Sequence, residues 1–401
     1  EKEQFIHVED GGDGTFDPGD YIEFYGEHND GWMDALVYED PIKPGNPEYS
    51  LYNDTLRYYL AWDAGSTHRR MPVETDLNFG AFTPIAFVWQ TAVVAYDNLY
   101  LQGFKVSGAS LSTYHEAEGW FSSGANAYSG TGQLNTTVNL SGALTGGSGP
   151  DAQVTAVSAS YSDAFPGQPN HHLELQYRYS GTQYTLVDTI FSGYQRNELS
   201  GTIPNNQLST NLQIRHQLVP DLGVATDFQA IANVQVTYPR SLNVSGSQKL
   251  FFEVDPHPTE NKSFIQISNT GGSIPLVYVL GDTVKRITTS AGATLDFLIT
   301  DNGTRQRCLF IDESQVINVT ELEEWQFRDF SAIDPSSAFI IVTHPTLMGA
   351  AREYGAFRAS VAGGNRDTVV VNVEELYHQF GGGVQKHVLG IRRFCEFAID
   401  T

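Results

Sequence analysis

The sequence predicts a mainly β protein: successive β domains, one of them a jelly-roll-like sandwich, ending in a partial α/β (βαβα) segment. Three observations carry this. Of 401 residues only 17% are charged, while 38 are Gly, 20 Tyr and 23 Phe, a composition suited to strands and tight turns. Between residues 120 and 245, apolar and polar residues alternate in short runs with no helical period. Beyond residue 336 the pattern becomes continuous apolar strands, each followed by a helical pattern.

Four stretches follow in order: 1–118, 119–245, 246–335 and 336–401. The first is an aromatic-rich β domain. Asp20-Tyr21-Ile22-Glu23-Phe24-Tyr25-Gly26 and Leu56-Arg57-Tyr58-Tyr59-Leu60-Ala61-Trp62 alternate like half-buried strands, with Pro and Gly turns between them. Phe87-Val88-Trp89-Gln90-Thr91-Ala92-Val93-Val94 reads equally as helix or strand. In the second stretch, Gln153–Ser158, His172–Tyr179 and Ile231–Tyr238 are alternating strands, and their spacing predicts an antiparallel jelly-roll-like sandwich. The third is a smaller β module containing Lys249–Val254.

The last stretch changes class. Phe339-Ile340-Ile341-Val342 is a continuous apolar strand, and Thr346 is a candidate cap for a helix with the stripe Leu347, Ala350, Ala351, Tyr354 and Phe357. After Gly363-Gly364 come a second strand, Thr368–Val373, and a helix from about Val384 to Ile399. A β-α-β-α order makes a parallel sheet with right-handed crossovers. Two strands are too few to close such a domain, whose faces and edges all need cover.

Charge limits the partners. The formal net charge is −24, which argues against nucleic acid, since phosphate binding needs clustered Lys and Arg. No apolar run approaches the roughly 18 residues that span a bilayer. The two cysteines cannot build a disulfide framework; Cys308 in an apolar strand and Cys395 beside Ile391, Phe394 and Ala398 on one helical face read as small core residues.

Several residues are candidates for chemistry. Glu9, Asp13, Asp17 and Asp20 fall near the first, fifth, ninth and twelfth places of a calcium loop, although Gly11 occupies the third and no helices flank it. The competing reading is a turn-rich loop that uses Asp and Gly for its backbone. His115 with Glu116 and Glu118 reads as solvated strand residues rather than a metal site. Adjacent His171 and His172 would face opposite sides of a strand, a poor metal geometry that suggests a polar pair at a strand edge. His344 follows the first strand of the α/β stretch, where such folds place their chemistry, and is a candidate pocket-lining residue. No Walker loop, dinucleotide fingerprint, serine nucleophile elbow or HExxH motif occurs.

Ala338–Pro345, then Val370-Val371-Asn372-Val373-Glu374-Glu375-Leu376-Tyr377-His378-Gln379-Phe380-Gly381-Gly382-Gly383, then Gly390-Ile391-Arg392-Arg393-Phe394 resemble the opening of gingipain-family peptidase domains. There the second strand runs into a Tyr-x-x-Phe-x-x-Gly turn and an Ile-Arg-x-Phe helix. Asp13–Gly26, Tyr114–Phe121 and Ala230–Arg240 resemble the N-terminal region of family members exported by the type IX secretion route, sortase-like members included. The resemblance implies the non-catalytic front of a secreted or cell-surface bacterial cysteine peptidase, cut early in its peptidase domain. It also implies that the catalytic His and Cys lie downstream: there is no Gly-His-Gly here, Cys308 and Cys395 fall too early, and no residue of this chain is expected to be catalytic. No cofactor is then required, calcium aside. The expected partners are the downstream peptidase domain and secretion-system proteins or a protein substrate. The competing reading is a stand-alone extracellular β-sandwich that binds carbohydrate or protein, with Tyr and Trp as stacking platforms.

Overall fold

The computed structural model describes residues 3–63, 68–105, 108–109, 111–271, 275–334 and 336–400. The boundary expected at 335 falls outside them. In the His171–Tyr179 strand, Leu173, Leu175 and Tyr177 are buried while Glu174, Gln176 and Arg178 are not, the period of a strand with one face on a core. Its sheet runs Thr182–Phe191, His171–Tyr179, Asn211–Leu218, Gln133–Asn139. The facing strands run Arg196–Ile203, Ala152–Ser160, Phe228–Arg240, Val88–Ala95. Followed along the chain, these eight antiparallel strands trace two interlocked Greek keys, the jelly-roll-like order expected. Val154, Leu173, Leu212, Ile214 and Val236 between the sheets are fully buried, each contributing about 1.5–3 kcal/mol relative to exposure. The ambiguous run at 87–94 is a strand from Val88 on: Val88–Ala95 pairs along its whole length with the 233–240 part of Phe228–Arg240.

That second sheet does not end there. Lys249–Val254, Gln306–Ile311, Leu276–Leu280, Lys285–Ile287 and Val73–Glu74 extend it, so one sheet passes through the first three stretches. The join is a single register pair, Glu253 with Trp89. The Trp89 indole N–H donates to Asp255, and the Arg305 guanidinium lies 4.6 Å over the Trp89 ring. Each side of the join keeps its own core, the second built on Ile265, Val277, Phe297, Cys308 and Phe310. Cys308 is the small core residue expected, and burial pushes its thiol pKa well above the usual value.

Near the start, Tyr21–Phe24 pairs with Ile6–Glu9 as a hairpin. The strand expected at 56–62 does not form. Only Leu56 makes a bridge, to Val384, while Tyr58, Tyr59, Leu60 and Trp62 are exposed. Aromatic and apolar residues occur there at both parities, so neither side of an extended chain is the one to bury.

At the C-terminal end, Ala338–Thr343 and Asp367–Asn372 pair in parallel. Helix α1 (Met348–Ala359) joins them, and α2 (Val373–Gln379) and α3 (Val388–Asp400) follow. The βαβα order holds with corrections. Val373 opens α2 rather than closing the strand, because the Asn372 side chain accepts from the Glu374 N–H at 3.0 Å and caps the helix. The last helix begins at Val388, not near Val384. Thr346 caps nothing; His344 accepts from the Thr346 N–H instead.

Of the apolar stripe expected on α1, Ala351 is buried but the large residues face outward: Leu347, Tyr354 and Phe357 are 60%, 48% and 50% exposed. The helix rests on Ala351 and Gly355, where an added Cβ would lie 3.0 Å from Val370 Cγ2. Close approach selects small residues on that side. Cys395 is exposed rather than in the core. Phe394 and Ala398 point inward, and Cys395, turned about 100° from Phe394, faces outward.

Candidate functional site

Residues 29–59 carry little regular structure, yet Asn29, Met33, Asp34, Tyr38 and Asn46 are buried. A buried irregular segment must find partners for its polar groups, and here they come from two sides. Toward the sandwich, Asn46 Nδ2 donates to the carbonyls of Tyr96 at 3.0 Å and Trp120 at 2.8 Å. The Tyr38 hydroxyl donates to the Glu118 carbonyl at 2.8 Å.

Toward the α/β segment, His387 Nε2 meets Asp34 Oδ1 at 2.9 Å across 353 residues of chain, and both side chains are buried. The tautomer follows from the neighbours. The Leu389 N–H donates to His387 Nδ1 at 3.2 Å, so Nε2–H is the donor to Asp34. Asp34 also accepts from the Leu51 N–H, and Tyr52 packs on the His387 ring at 4.4 Å.

A second contact lies beside it. Trp325 stacks on His378 at 3.9 Å, and the Arg57 guanidinium and Tyr59 hydroxyl hydrogen-bond to the two ring nitrogens. Burial, and then the Arg57 charge, hold the His378 pKa below its usual value. A neutral ring accepts from Arg57 at Nε2 and donates from Nδ1 to Tyr59. The glycines after α2 let the segments touch. Gly382 and Gly383 have φ of 62° and 83°. An added Cβ would meet Met33 Sδ at 2.6 Å and the Arg57 carbonyl oxygen at 2.7 Å, respectively.

Residues 324–330 complete the contact as a strap. Arg328 donates to the Val370 carbonyl at 2.8 Å, Gln379 donates to the Arg328 carbonyl at 3.0 Å, and Phe330 is buried against Phe394. A cavity of about 300 Å³, lined by Glu324, Trp325, Gln326, Arg328, Asn372 and Glu375, opens at the carboxyl end of Asp367–Asn372. Parallel α/β folds place ligands at that edge.

The residues singled out from sequence lie elsewhere. His344 is exposed at the carboxyl end of Ala338–Thr343, holds Thr346 through Nδ1, and is not among the residues lining the cavity. Glu9 ends the strand Ile6–Glu9, paired with Tyr21, while Asp13, Asp17 and Asp20 lie in the hairpin loop that follows. There Asp13 accepts from the Thr15 N–H at 2.8 Å and Asp20 from the Asp17 N–H. His115 is half-buried outside any strand and accepts from the Ala117 N–H; Glu116 pairs with Lys43 at 3.2 Å, and Glu118 takes the Tyr100 hydroxyl. His115 and Glu116 therefore lie outside a strand, Glu118 opens the strand Glu118–Phe121, and all three are half-buried.

His171 and His172 do face opposite sides, but His171–Tyr179 is an interior strand, so they are no edge pair. His171 Nδ1 meets the buried Asp227 at 2.6 Å, and His172 lies between Asp188 and Asp221, at 2.8 Å from each. Asp34, His378 and His387 were missed. Only His378 had a signal, its place inside the Tyr-x-x-Phe-x-x-Gly motif.

Comparisons with known proteins agree with the motif reading. Residues 333–401 match the model of peptidase family C25, the gingipain family. No curated protein matches the chain significantly. Among solved structures, dimeric latent PorU from Porphyromonas gingivalis matches with a TM-score of 0.54 at 14% identity, over 87% of this chain and 30% of that one. This chain thus spans less than a third of that protein's length and shares its fold. The CBM22-1 xylan-binding domain from Paenibacillus barcinonensis Xyn10C aligns at 8% identity over 29% of this chain and 93% of that domain. Its TM-score is 0.18, too low to carry an argument. The C-terminal segment is similar to the gingipain-family model and follows a mainly β front. No helix among the described residues is long and apolar enough to cross a membrane.

Proposed function

We propose that this chain is the non-catalytic front of a secreted, gingipain-like cysteine peptidase, and that residues 29–59 dock the start of the peptidase domain onto the β domains. The observation that carries the reading is the buried Asp34–His387 hydrogen bond, 2.9 Å long and 353 residues apart in sequence. A buried carboxylate is costly unless it is hydrogen-bonded, so the partners hold each other in place. The strap at 324–330 supports latency as part of the role, because Trp325 and Arg328 lie at the edge where a parallel sheet presents its chemistry. PorU is itself described as latent in its crystal structure. The hydrolysis belongs to residues outside this chain: a thiolate attacks a peptide carbonyl with a histidine as proton carrier.

The test is the protein as its native host makes it. The reading expects a species well above 44.2 kDa whose peptide hydrolysis is abolished by a thiol-alkylating reagent. A species of 44.2 kDa without thiol-dependent hydrolysis would overturn it and favour a binding role for the sandwich.

A further inference from the structure

The outer face of the jelly-roll-like sandwich carries a cluster unrelated to docking. His172 and Glu174 alternate with buried Leu173 and Leu175, so both project from the face away from the core. Asp188 is the cross-strand partner of Glu174 in the antiparallel register. One ligand atom each from His172, Glu174 and Asp188 lies within 4.8 Å of the others, and among the described residues no other group of three His, Cys, Asp or Glu residues does so.

Two further features distinguish this cluster from an ordinary acidic surface. The His172 ring is only 10% exposed, and Asp221 accepts from its Nδ1 at 2.8 Å. That is the outer-shell contact by which a carboxylate fixes the orientation of a metal-binding histidine; Nε2 meets Asp188 Oδ1 at 2.8 Å, so an ion would take the place of the proton shared between them. Among the described residues, no Lys or Arg forms an ion pair with Glu174, Asp188 or Asp221. Among the described residues His172 is therefore the one ion-pairing partner of these carboxylates, with Gln176 Nε2 donating to Glu174.

We propose that His172 Nε2, Glu174 and Asp188 bind one divalent first-row transition ion such as Zn²⁺, with Asp221 orienting the imidazole. Bonds of about 2.0–2.2 Å separate tetrahedral ligands by roughly 3.3 Å, so the present cluster closes by side-chain rotation alone. One imidazole nitrogen with two carboxylates suits a borderline ion better than calcium, which takes six to eight oxygens. The ion would tie two adjacent strands to the 219–221 loop, which is anchored by the Val219 N–H on the His172 carbonyl at 2.9 Å.

Calorimetric titration of the chelator-treated chain with ZnCl₂ tests this. One equivalent should bind with a rise in the melting temperature, since an ion that binds only the folded state stabilises it. Asp188→Asn and Glu174→Gln should each weaken binding by roughly tenfold or more, and Asp221→Asn by about tenfold. Asp188 is exposed, so its variant should keep the circular dichroism of the parent. Absence of a one-equivalent heat up to millimolar Zn²⁺ overturns the proposal. So does unchanged affinity in a folded Asp188→Asn variant, or tighter binding of CaCl₂ than of ZnCl₂ at the same residues.

Discussion

Single residues show where burial sets chemistry. His216 is fully buried on the core side of Asn211–Leu218, neither ring nitrogen has a hydrogen-bond partner, and desolvation pulls its pKa down to about 4. A histidine depressed below its unfolded value keeps its full contribution above about pH 6.5. That contribution falls as pH drops toward about 4, where the native ring protonates, by an amount on the order of 3 kcal/mol. Denaturant unfolding of the sandwich at pH 7 and pH 4.5 should show this loss in the parent and a smaller one in His216→Leu. Equal losses would assign the acid sensitivity to other groups. None of this was visible in the sequence, where His216 is one polar residue in an alternating strand. His344 was visible for its place after a strand, yet it serves as a cap.

At the scale of elements, strands with strict alternation were legible, and the runs at 153–158, 172–179 and 231–238 form as read. Long-range choices were not. Whether 56–62 is a strand depends on a sheet edge being there to receive it, and α1 turns its large apolar residues outward because the sheet approaches too closely for them. The turn after α2 gives the sharper test. Gly383→Ala places a Cβ against the Arg57 carbonyl at a positive φ, a strain costing roughly 1–3 kcal/mol. The Arg57 N–H, which donates to the Gly383 carbonyl at 3.2 Å, should then lose hydrogen-exchange protection. Gly364→Ala, also at positive φ but with only the Arg366 side chain at an ordinary 3.9 Å from the added Cβ, should leave that amide protected. Loss of protection in both variants would mean that the effect is not local contact.

For the whole molecule, one continuous sheet joins two β cores while an irregular segment joins the β domains to the α/β segment. The family resemblance of the C-terminal stretch and the mainly β character of what precedes it were readable, because periodicity and motif are local properties. The docking of 29–59 was not, because it rests on contacts such as Asn46 with Trp120 and Asp34 with His387 that no spacing in the chain announces. The separate cores explain why the third stretch reads as a module although its strands extend the sandwich sheet.

The docking claim is tested most directly by a double-mutant cycle of Asp34→Asn and His387→Gln, reading unfolding of the α/β segment. Two groups in direct buried contact should couple by about 1–3 kcal/mol, the double variant losing less than the sum of the singles. Effects additive to within about 0.3 kcal/mol would mean that the two side chains do not hold the segments together, and the docking account would be wrong.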